Sequence, residues 1–165
     1  MMRTLMGASF VALCLSSAPA FADGKIYVQL PDLSEIGGAA AETLLMQVVL
    51  ANVVSSNCAG FEVTDEEWSL LTDSADILAR ANLGYSVDDY DEFFYKPAFA
   101  ALDKPETCAE EGPNVQPIID QLVALGGSRE ALPDQDKAYE EWRAMQDAWD
   151  AGTTAPVGVG KTKTK

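Results

Sequence analysis

Chemistry in this chain falls to carboxylates, lysines, hydroxyls and cysteines, because its 165 residues include no histidine. Without an imidazole there is no Ser-His-Asp or Cys-His arrangement, and the commonest metal ligand is missing. Acidic residues dominate, 26 Asp and Glu against 11 Lys and Arg. Paired carboxylates suit glycoside hydrolysis, which needs two of them several Å apart across a sugar cleft. With this many acids, spacing alone selects no pair, so a carboxylate-dependent glycoside hydrolase is kept only as an alternative. The run Asp88, Asp89, Asp91, Glu92 suggests calcium at first sight. It lacks the D-x-[DN]-x-[DN]-G order and the glutamate at position twelve. Its place in the opening turns of a predicted helix explains it better, since negative charge there complements the helix dipole. Glu66 and Glu67 have the same explanation. No metal, cofactor or catalytic residue is expected.

Val157-Gly158-Val159-Gly160-Lys161-Thr162 resembles a phosphate loop only in part. That motif requires glycine where Ala155 stands, after a strand and before a helix. Residues 153–165 hold no large apolar side chain and end Lys-Thr-Lys-Thr-Lys, so they read as a disordered tail whose lysines touch the acidic body or the envelope surface weakly.

Three cysteines are present: Cys14, Cys58 and Cys108. The first lies inside a signal peptide over residues 1–22. Arg3 supplies a positive start, an apolar run extends from Leu5 to about Ser16, and Ala20-Phe21-Ala22 matches the small-x-small pattern before a cleavage site. Cleavage between Ala22 and Asp23 removes Cys14 and leaves one pair. The apolar run falls short of the about 20 residues a membrane span needs. Leu13 is too bulky for the position before a lipidated cysteine, so neither a span nor a lipid anchor is expected. In an oxidising compartment Cys58 and Cys108 pair. Closing a loop of about 50 residues stabilises by about 4 kcal/mol on the chain-entropy estimate.

Charge narrows the partners. A net −15 repels nucleic acid and anionic lipid. One domain suits the length, and its boundaries are expected at 23 and 152.

The elements that position these residues read as an all-α domain of four or five helices, preceded by a short extended segment at Ile26–Leu30. The first helix, 38–57, is apolar on nearly every side and is placed at the centre. The second opens on the capping box Thr64-Asp65-Glu66-Glu67. Trp68, Leu71, Ala75 and Leu78 should share its buried face, and Gly84 should end it. Ser86 caps a third, with Tyr90, Phe93 and Phe94 as its aromatic face and Pro97 as a kink or restart. Cys108 falls in a loop. A short helix over 115–125 precedes Gly126-Gly127. The last starts near Pro133 and runs to about Asp150, with Ala138, Trp142, Met145 and Trp149 as its stripe. Two tryptophans exceed what a small core demands, so Tyr139 or Trp149, if exposed, would mark an interface.

Asn57-Cys58 at a helix end, Leu83-Gly84-Tyr85-Ser86 between helices, Cys108, and Leu125-Gly126-Gly127 resemble the pattern of small disulfide-bearing helical periplasmic proteins of Gram-negative bacteria, many of unknown function. The resemblance spans about residues 39–127 and implies fold and compartment. Glu141-Trp142 on a late amphipathic helix is similar to the periplasmic acid-stress chaperones, which would imply acid-driven loosening. Together these readings give a periplasmic or secreted, non-enzymatic protein-binding factor of accessory, inhibitor or immunity type. Its expected partner is another periplasmic or envelope protein. An acid-stress chaperone is the alternative.

Overall fold

A helix apolar nearly all round must be enclosed by its neighbours, and the computed structural model encloses Gly38–Asn57 (α1) in that way. The structure describes residues 24–153. The expected signal peptide, its Ala22–Asp23 junction and the expected tail beyond Thr153 lie outside the described residues. Leu44, Leu45, Val48, Val49, Val53 and Val54 of α1 are buried, with the next three helices packed around it. Among the described residues α1 alone is long and apolar enough to cross a membrane. Its burial in this core accounts for that composition.

The second helix, α2, is α-helical over Asp65–Asp76 and π-helical over Ile77–Asn82. Its capping box forms as predicted: the Glu67 amide donates to Thr64 Oγ1, and the Thr64 amide donates to Glu67 Oε2, each at 3.2 Å. Leu71, Ala75 and Leu78 of the expected face are buried, but Trp68 is not. Asp65, Trp68 and Thr72, at spacings of 3 and 4, form the open side, with Trp68 40 % exposed. Ser69, Asp73 and Ser74 are buried instead. Gly84 ends the helix at φ +69°, and the Tyr85 amide donates back to the Ala79 carbonyl.

The third helix, α3, runs through Val87–Tyr90, a π-helical Asp91–Tyr95 and Lys96–Ala101. Pro97 stands where the α-helical pattern restarts after the π-helical turn. The Lys96 amide reaches the Asp91 carbonyl, five residues back, and Pro97 enters the first turn of the final stretch, where its missing N–H costs nothing. The fourth, α4, comprises Thr107–Glu111, a 3-10 turn Gly112–Asn114 and Val115–Ala124. Cys108 is therefore helical rather than in a loop, because the turn after Pro105 closes when Thr107 Oγ1 donates to the Ala101 carbonyl.

The fifth, α5, spans Gln135–Asp150. It starts two residues after Pro133, where Asp134 caps it by accepting from the Lys137 amide at 3.1 Å. The stripe Ala138, Trp142, Met145, Trp149 is buried, as its spacing predicts. The extended N-terminal segment straps the bundle. Val28 bridges Ala131 antiparallel, and the Gln135 side-chain amide bonds both backbone groups of Tyr27. Asn82 Nδ2 donates to the Leu33 and Ile36 carbonyls, holding the strap's far end against α2.

Candidate functional site

Helix ends bring chemistry together in this fold. Cys58 and Cys108 are bonded, with Cα atoms 5.5 Å apart, fastening the end of α1 to the first turn of α4. Cys58 is buried. The bridge braces the domain.

A groove of about 540 Å³ opens where the C-terminal ends of α2 and α5 meet the start of α3. Arg80 and Gly84 come from the first end, Trp149 and Asp150 from the second, and Tyr85 and Val87 from the turn into α3. Arg80 crosses the floor: its guanidinium bonds the Asp150 carboxylate and lies 5.3 Å from the Trp149 ring centre. The Tyr85 hydroxyl donates to Glu42 Oε1 at 3.3 Å, and partial burial together with that carboxylate pushes its pKa up. The Ser86 hydroxyl donates to Asp89 Oδ2 at 2.8 Å and accepts from the Asp89 amide as the α3 cap. These polar groups are engaged in contacts within the fold.

An aromatic row continues from its mouth. Phe93 packs on Tyr85 at 6.2 Å between ring centroids, and Phe94 packs edge-on to the same ring at 5.5 Å. Tyr90, Tyr95 and Phe99 extend the row along α3. Phe94 and Tyr90 are buried anchors, whereas Phe93 is 58 % exposed and Val87, at the groove wall, 53 %.

Two acids lie deeper. Asp73 bonds Lys25 at 2.5 Å, and the same ammonium stands 4.4 Å from the Trp142 ring centre. Burial raises Asp73 to about 7 against the pull of Lys25. Burial likewise raises Asp76 to about 6 against Lys25 and Arg80. Neither carboxylate lines the groove. They act on the fold, linking α2 through Lys25 to the strap and α5.

The remaining sequence-derived candidates are dispersed. Asp88, Asp89, Asp91 and Glu92 are exposed on α3, where Asp89 serves the cap and Glu92 pairs with Lys96. Among the described residues no three acids or cysteines gather in a metal-holding group. Tyr139 is 40 % exposed, packed on Tyr27 and accepting from Arg143. Trp149 is only 9 % exposed, edge-on to Trp142 and covered by Arg80, so its indole fills the groove floor instead of projecting.

No protein-family model, curated protein or solved structure matches the chain. Function is therefore argued from the site's own geometry. Arg80 and Lys25 carry no signal in the sequence, and Tyr85 stands there only between two helices. The available signal was the repeated pattern of a glycine stop beside an aromatic, Gly84-Tyr85 and Trp149 near Gly152.

Proposed function

We propose that this protein is exported to the periplasm or beyond and works there as a non-enzymatic protein-binding factor, of accessory, inhibitor or immunity type. The observation that carries the reading is the exposed pair Val87 and Phe93, joined through Tyr85 to the groove. Large apolar side chains grouped on a surface mark docking sites, and this group stands on a body of net charge −15, which otherwise favours solvent. Export is supported by the three-part N-terminus and by a disulfide, which persists in oxidising compartments.

Mild acid does not favour the chaperone alternative. Asp73 and Asp76 hold protons more readily when buried, so they resist loosening as pH falls from about 7 to about 4.

Affinity capture from the native envelope fraction, with wild type and Phe93→Ser in parallel, tests the reading. Wild type should retain a stoichiometric protein that the variant loses. Equal recovery by both proteins would remove the aromatic face from the account, and recovery by neither under mild cross-linking would remove the binding role.

A further inference from the structure

We infer that the groove takes a cationic segment of its partner protein, a lysine or arginine presented beside an apolar anchor. This rests on the protein-binding reading above and specifies the chemistry of what binds.

Helix direction is the first argument. The walls contributed by α2 and α5 are both C-terminal ends. A helix C-terminus carries about half a negative charge, which favours a cation. The α3 N-terminus, of opposite sign, is already matched by Asp88 in its first turn.

Side chains add to that field. Behind the walls, Glu42 accepts from Tyr85 and Asp89 accepts from Ser86, whereas Asp150 of the lining is paired with Arg80. Arg80 is the cation of the lining, and its charge is engaged by Asp150 with the aromatic face of Trp149 beneath it. The local balance is thus negative.

The anchor follows from what is exposed. Val87 and Phe93 flank Tyr85, giving an apolar contact beside the carboxylates. Aromatic rings also attract a cation over their faces. A purely acidic ligand would meet repulsion, and a purely basic one would leave the Phe93 face uncovered.

The test uses the exported full chain labelled with 15N and three synthetic peptides of about twelve residues. The first alternates lysine with leucine around one tryptophan; the second replaces each lysine with glutamate; the third replaces the apolar residues with serine. The first should shift the amides of Tyr85, Ser86, Val87 and Gly152. Phe93→Ser and Glu42→Gln should each weaken it, the former by roughly ten-fold, and added salt should weaken it further. If the glutamate or serine peptide binds the same amides as tightly, the cationic-anchor inference fails while the docking reading stands. If no peptide moves those amides, both fail. A chain ending at Thr153 checks the internal competitor: unchanged groove amides are expected, and a shift on truncation without peptide would assign the groove to the chain's own lysines and overturn a separate partner.

Discussion

Phe93 lies against Tyr85 with ring centroids 6.2 Å apart and planes inclined by 60°, on the outer side of a ring whose hydroxyl is tied to Glu42. The Tyr85 ring is fixed by that bond and by Phe94 on another side, whereas Phe93 has more than half its surface in water. Phe93→Ser should therefore change stability by no more than about 0.5 kcal/mol, the usual range for exposed sites. Urea unfolding checks this. A loss beyond about 2 kcal/mol would make Phe93 a core residue and remove the reason to read its exposure as functional.

The disulfide should carry a large part of the stability. Its ends are 50 residues apart in sequence, and removing a native bridge typically costs about 2–5 kcal/mol. Cys58→Ser with Cys108→Ser should lower the urea midpoint by about 1 M or more, given slopes of about 1–3 kcal/mol per M. An unchanged midpoint would show that α1 and α4 hold together without the bond.

Asp76 sets an unusual pH dependence. Its folded pKa, about 6, lies above the ordinary carboxylate value of 3.8. Below the lower value both states are protonated and burial brings no penalty; above the higher one the folded state must hold a buried charge. Its contribution to stability therefore falls as pH rises from about 4 to about 6. Asp76→Asn removes that trend, so relative to wild type the variant should gain about 1–2 kcal/mol between pH 4 and pH 7.5. Urea midpoints of both proteins at the two pH values provide the check. A parallel pH response would mean that Asp76 is solvated and ordinary.

Gly112 needs its missing side chain for packing. A Cβ there would run into the Phe61 ring, inside any tolerable contact. Gly112→Ala should force the ring aside and cost about 1–3 kcal/mol, the range for overpacking. Thermal unfolding would show it as a lower midpoint. An unchanged midpoint would mean that the half-buried Phe61 moves freely.

Local rules carried the elements well and the site poorly. The limits of α1, the Thr64 and Ser86 caps and the Gly84 stop depend on neighbours within a turn, so spacing alone revealed them. The burial of Asp73 depends on Lys25, 48 residues away, and no periodicity along α2 announces it. Trp68 faced outward for the same reason: α2 turned its polar Ser69–Asp73–Ser74 side inward to meet a distant cation and the core. The groove is assembled from residues 80–87 and 149–153, separated by two helices, and only the packed fold places them side by side.

Site-specific photo-crosslinking tests the docking face most directly. A benzophenone amino acid at position 93 is compared with the same group at position 68, an exposed aromatic on α2 outside the groove lining. In the native envelope, position 93 should join one discrete protein of cationic contact surface and position 68 should not. Equal crosslinking from both positions, or none from position 93, would contradict the account.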